Sequence, residues 1–196
     1  DQREDFYAFM IVPGFSTPEW AKGAVMYQIF VDRFCNGDPT NDVEDGEYIY
    51  IGAPSVKIKD WSKVPAAMDI RNFYGGDLQG VMDKLDYLQE LGIGAIWISP
   101  FNDSPNYDNG YDISDYYAIL KDFGTMADLE EMIQECEKRD IIVMMDLVLN
   151  HCSHEHPWFL GACKDRNGKY HDYYIWVKNG NLRKLEIKMP DWHEGS

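Results

Sequence analysis

Three short stretches of this sequence concentrate side chains that bind oxygen-rich ligands. The first runs Asn36-Gly37-Asp38-Pro39-Thr40-Asn41-Asp42, the second Asn106-Tyr107-Asp108-Asn109-Gly110-Tyr111-Asp112, and the third holds Asp146, Asn150 and His151. Clustered carboxylate and amide oxygens in a loop bent by glycine and proline suit a hard cation, because Ca²⁺ takes about six to eight such oxygens. Asn36, Asp38, Asn41 and Asp42 make up that set, and Gly75 with Asp77 forms a partner stretch. The second and third stretches combine acceptors, donors and aromatic rings: a carboxylate accepts hydrogen bonds, an imidazole can donate, and an aromatic face is apolar. Read in isolation, Asp112 serves equally well as a turn residue, Tyr111 as a packing residue, and residues 36–42 as a solvated turn. His151, His154 and His156 have a spacing that invites zinc, but there is no HExxH and no evident fourth ligand.

These residues act together only if the chain brings them to one place. Residues 24–31 form a nearly continuous apolar run with β-branched and aromatic members, which predicts a strand buried on both faces. Residues 43–72 are polar, with short alternation on either side of residues 52–54, and read as a hairpin insertion. Leu78, Val81, Met82, Leu85, Leu88 and Leu91 recur at three- and four-residue steps, so a helix is expected with Asp77 as its cap and Gly92 as its stop. Ala95-Ile96-Trp97-Ile98 predicts a second strand, and a loop is expected through Asp115. Thr125 with Asp128 resembles a capping box before a helix marked by Met126, Leu129, Met132, Ile133 and Cys136, and Ile141-Ile142-Val143-Met144-Met145 predicts a third strand. Strand, helix, strand, helix, strand means two right-handed crossovers and a parallel α/β sheet. Ligands of such sheets bind beyond the carboxyl ends of the strands, where the three stretches fall.

Composition narrows the ligand. The 196 residues carry 34 acidic and 18 basic side chains, a formal net charge of −16. Such a chain repels phosphate backbones, because nucleic-acid affinity rests on Lys and Arg displacing counterions, so neither nucleic acid nor an anionic membrane is expected as a partner. No apolar run approaches the roughly 18 residues of a membrane span. With 13 Tyr, 6 Trp and 9 Phe, surfaces for sugar stacking are available. The four cysteines form no CxxC pair, so reduced thiols are expected.

Asp146-Leu147-Val148-Leu149-Asn150-His151 resembles the DxxxNH region of the alpha-amylase superfamily of retaining α-glycoside hydrolases. Residues 108–116 and 151–159 resemble its oligo-1,6-glucosidase and α-glucosidase branch. Residues 20–34 and Phe73-Tyr74-Gly75-Gly76-Asp77-Leu78 resemble the neopullulanase and cyclomaltodextrinase branch. The resemblance implies a partial (β/α)₈ TIM barrel, its first three strands and two helices. Residues 1–17 would end a preceding β-domain or linker, residues 18–151 would open the barrel, and residues 152–196 would begin a domain inserted after strand three.

The resemblance also implies roles. Tyr111 would stack on a glucose ring, Asp112 and His151 would bond its hydroxyls, and Asp146 would organise them from behind. Asn36, Asp38, Asn41, Asp42, Gly75 and Asp77 would bind Ca²⁺, with Gly75 giving its carbonyl. No catalytic carboxylate pair is recognised within this chain, so the chain reads as an N-terminal fragment, inactive alone. It would come from an enzyme hydrolysing α-1,4 or α-1,6 bonds of maltooligosaccharides, starch or other α-glucans, in the cytoplasm and as a homodimer. The rival is a non-catalytic amylase-like binding domain of the kind found in amino-acid transporter heavy chains.

Overall fold

The structure, a computed structural model, describes residues 12–50, 52–65 and 70–176. The strand-like run at residues 5–12 and the segment 179–196 fall outside the described residues, save Val12. Three parallel strands form the central sheet: β1 (Met26–Ile29), β6 (Ala95–Ile98) and β9 (Ile142–Met145). They lie in the order β1-β6-β9, with Met26 opposite Ala95 and Ala95 opposite Ile142. Between β1 and β6 come four two-residue strands, β2 (Ile49–Tyr50), β3 (Ala53–Pro54), β4 (Val56–Lys57) and β5 (Asn72–Phe73), then α1 (Leu78–Asp83) and α2 (Leu85–Glu90). Between β6 and β9 lie β7 (Asn102–Asp103), β8 (Asp115–Ile119) and α3 (Met126–Glu137), and α4 (Pro157–Lys164) follows β9.

The helix expected through residue 91 divides at Lys84, whose φ of −108° and ψ of 6° leave helical geometry. Its N–H reaches back three residues to the Val81 carbonyl at 3.1 Å, and the tightened turn keeps one apolar stripe in register. Leu78 and Val81 before the break and Leu85 and Leu88 after it are all fully buried. They pack with Ile29, Ile96, Ile98, Met132 and Cys136, so the core lies between the sheet and the α1, α2 and α3 layer. Thr125 and Asp128 complete the expected capping box. No helix among the described residues is long and apolar enough to cross a membrane.

The hairpin of the insertion is β2 against β3, and it is fastened to the barrel edge. Tyr48 donates its hydroxyl to Asp122 at 2.5 Å, and Lys121 bridges Glu47 and Asp122. Burial raises the Asp122 carboxyl above the ordinary aspartate range, against the pull of Tyr48 and Lys121. Residues 56–57, expected in the hairpin, instead form β4 in parallel with β5, and further elements were not expected. The loop after β6 contains the antiparallel pair β7–β8, and α4 starts from a cap in which His156 Nδ1 accepts from Trp158 N–H at 3.1 Å.

Candidate functional site

The loop after β1 folds back onto the first turn of α1. Asp77, fully buried, caps α1 by accepting from Gly80 N–H at 2.6 Å, and it also accepts from Asp38 N–H at 2.7 Å and Gly37 N–H at 3.1 Å. Both Asp77 oxygens are thus committed to backbone donors of the first cluster, and Asp38 turns its Oδ1 onto Thr40 N–H and hydroxyl at 3.0 and 2.6 Å. Asn36 Nδ2 donates to Asp42 Oδ1 at 2.6 Å. Gly75, at φ 76°, lies so close that a Cβ there would meet Asp42 Oδ1 at 2.3 Å and Asn36 Nδ2 at 2.7 Å.

The amide oxygens Oδ1 of Asn36 and of Asn41 are buried and have no hydrogen-bond partner. Two such orphans in one loop are costly unless a cation or water answers them. Lys57 Nζ stands 3.2 Å from Asp42 Oδ2 and offsets part of the local negative charge. Among the described residues no three His, Cys, Asp or Glu side chains form a group fit for a metal, so a cation here would depend on the amides. Asp32, from the end of β1, holds the facing turn by accepting N–H bonds from Tyr74 and Gly75 at 3.0 and 3.1 Å. Burial pushes its carboxyl up to about 6 although those bonds favour the anion.

The second and third clusters meet beyond β6 and β9. Tyr111 donates its hydroxyl to Asp146 Oδ2 at 2.9 Å, and His151 Nε2 lies 2.8 Å from the Tyr111 carbonyl. Because a carbonyl only accepts, Nε2 carries the proton, and Nδ1 accepts from Asn150 Nδ2 at 3.2 Å. Burial and the bond to Asp146 push the Tyr111 phenol up to about 12, so the ring offers a neutral face. Asp112 is braced within its own loop. Its carboxylate accepts from Ser104 Oγ at 2.8 Å, Tyr107 N–H at 2.9 Å and Asp108 N–H at 3.1 Å, knitting its own loop. The charges of Asp108 and Asp112 both bear on the Tyr50 hydroxyl, and that of Asp108 on Tyr111 as well.

Several residues of the site escaped the reading of the chain. Tyr107 and His154 stack at 5.4 Å between ring centroids, and the Tyr107 hydroxyl donates to Glu155 Oε1 at 3.1 Å, joining the two loops at their rim. Tyr116 on β8 sets its hydroxyl 2.8 Å from the Val148 carbonyl and 3.0 Å from that of His151. Tyr50 of β2 accepts from Asn109 Nδ2 at 3.0 Å. These contacts join residues 32 to 59 positions apart. Only the Asn109-Gly110 pair, a turn dipeptide, carried a local signal.

The family model described as alpha amylase, catalytic domain, matches residues 28–194. The oligo-1,6-glucosidase of Bacillus cereus is 57% identical over 101 residues, covering 52% of this chain and 18% of that protein. The palatinase of Erwinia rhapontici is 44% identical over 163 residues, or 82% of this chain and 23% of that protein. Among solved structures, the isomaltulose synthase of Klebsiella sp. LX3 superposes with a TM-score of 0.62 at 41% identity, covering 85% of this chain and 24% of that one. The chain therefore spans about a fifth of the length of the curated relatives it matches.

Proposed function

The chain belongs to the alpha-amylase family, and from that premise we propose that the full-length protein is a retaining glycoside hydrolase acting on α-1,4 or α-1,6 bonds of short glucosides. The observation that carries this reading is the convergence of Tyr111, Asp146 and His151 beyond β6 and β9, through bonds of 2.9 and 2.8 Å. In this reading the neutral Tyr111 ring covers one glucose face, Asp146 fixes the ring's tilt, and His151 holds the backbone beneath it. Asp112, braced by Ser104 Oγ and by the Tyr107 and Asp108 N–H groups, is the carboxylate offered to sugar hydroxyls. The nucleophile and acid/base that retention requires, about 5 to 5.5 Å apart, come from other parts of the full-length protein. An oligo-1,6-glucosidase among the relatives makes isomaltooligosaccharides the first substrates to try. The test is hydrolysis of a chromogenic α-glucoside and of isomaltose by the full-length protein, with the first anomer followed by NMR. Release of α-glucose supports the reading, whereas no turnover of either substrate, or release of β-glucose, overturns it.

Ca²⁺ belongs to the same proposal, supported by the two orphaned amide oxygens of Asn36 and Asn41. Those oxygens, the Asp42 carboxylate and the Gly75 carbonyl would hold it, with Asp38 and Asp77 shaping the loop around them. The ion would supply charge that fastens the end of β1 to the start of α1. A ligand present at about 100 times its Kd stabilises the fold by about 2.7 kcal/mol. Excess chelator should therefore lower the melting temperature of the full-length protein by several degrees, and Asn41→Ala should abolish that difference. An unchanged melting curve with chelator would remove the metal from the proposal.

A further inference from the structure

The inserted hairpin reaches across to the loop that carries Tyr111. Tyr50, 6% exposed, ends β2 and accepts the Asn109 Nδ2 hydrogen bond at 3.0 Å. Asn109 and Asn106 both sit at positive φ, 48° and 63°, and Gly110 follows at 90°. Left-handed backbone at a residue other than glycine is strained and persists only where surrounding contacts hold it. Asp112 holds the rising arm of the loop through Ser104, Tyr107 and Asp108, but its bonds stop short of the tip. Tyr111 N–H closes the tip on the Asp108 carbonyl at 3.0 Å and Gly110 lies close to the Pro100 carbonyl, while the Asn109 side chain is held from the hairpin. That hairpin is itself anchored through Tyr48, which precedes β2, to Asp122, and Lys57 of β4, just after it, bridges Asp42 and Glu44.

We propose that Tyr50 is a positioning residue, a strut from the insertion that fixes Asn109-Gly110 and thereby sets the place of the Tyr111 ring in the sugar site. This rests on the glycosidase reading for what the site binds, but the mechanical claim does not depend on it. Tyr111 follows Gly110 directly, and a shift of about 1 Å in a group that positions substrate can cost a hundredfold in rate. The phenol is suited to the task. Its ring is buried while its oxygen meets the amide, and burial with the nearby Asp108 and Asp112 charges keeps it protonated.

Tyr50→Phe in the full-length protein removes the oxygen and keeps the ring. Amide exchange across residues 106–112 should rise at least fivefold, with exchange in α1 and α3 unchanged. Binding of a glucose-mimicking iminosugar should weaken about tenfold, and KM for a chromogenic α-glucoside should rise more than kcat falls. Asn109→Gly accepts the positive φ without strain and removes the donor. Adding Tyr50→Phe to it should produce no further weakening of inhibitor binding, because both changes break one bond. Unchanged exchange at 106–112 in Tyr50→Phe overturns the proposal. Faster exchange with unaltered inhibitor affinity overturns its claim on the sugar site. A wild-type protein that neither hydrolyses α-glucosides nor binds the iminosugar defeats the glycosidase reading instead, and the exchange result alone then decides whether Tyr50 is the strut.

Discussion

Gly80→Ala should destabilise the full-length protein by about 3 kcal/mol or more, although alanine is the better helix former by about 1 kcal/mol. Gly80 lies inside α1, where a Cβ would stand 1.8 Å from the Cys35 carbonyl oxygen and 2.5 Å from its carbon. Both are backbone atoms of the loop that Asp77 clamps, so neither can turn aside as a side-chain end would. Overpacking by a methyl group in a closed core typically costs about 1 to 3 kcal/mol, and this contact is against main chain. Gly37 faces it, with a Cβ there predicted 2.4 Å from the Gly80 nitrogen, so the two glycines allow loop and helix to touch. The comparison is Gly94→Ala, whose Cβ would have Ala24 Cβ as its nearest neighbour at 3.7 Å, and which should change stability by less than about 1 kcal/mol. Urea unfolding of both variants decides it. Equal midpoints for Gly80→Ala and Gly94→Ala would mean that the loop does not lie on α1.

His151→Ala should lower kcat/KM for α-glucosides at least tenfold in the full-length protein, which corresponds to about 1.4 kcal/mol. The imidazole joins two parts of the site, since Nε2 bonds the Tyr111 carbonyl and Nδ1 receives Asn150. Its removal orphans the Tyr111 carbonyl and lets the aromatic face drift where sugar distortion needs support. Tyr111→Phe is the informative companion. It keeps the ring, loses the bond to Asp146, and should cost less than Tyr111→Ala. Wild-type kinetics for His151→Ala would return these residues to plain packing.

The barrel units were legible because their signals are local. The apolar stripe from Leu78 to Leu88, the Thr125–Asp128 box and the apolar runs of β1, β6 and β9 are written in neighbouring positions, and each formed near its expected place. The break at Lys84 was not legible, because the stripe reads the same across a tightened turn. The pair β7–β8 is two and five residues long and lies in a loop rich in Asn, Asp and Pro, so its pairing has no periodicity to betray it. At the site, residue types announced carboxylate and imidazole chemistry, but not how each oxygen is spent. Asp112 and Asp77 both turn acceptors onto backbone donors. The strut at Tyr50 pairs positions 59 apart, a relation that only folding reveals.

The order of the central sheet repeats the order of synthesis. β1 lies against β6 and β6 against β9, so each strand of the central sheet docks on the strand of that sheet made before it. The penalty for closing a chain segment grows only slowly with its length, so the long segments 30–94 and 99–141 between partners cost little more to close than short loops. A ribosome emitting this chain would thus add finished strand-helix units one at a time. The outer edge of β9, where Ile142 and Met145 remain 38% and 44% exposed, would serve as the template for the next unit.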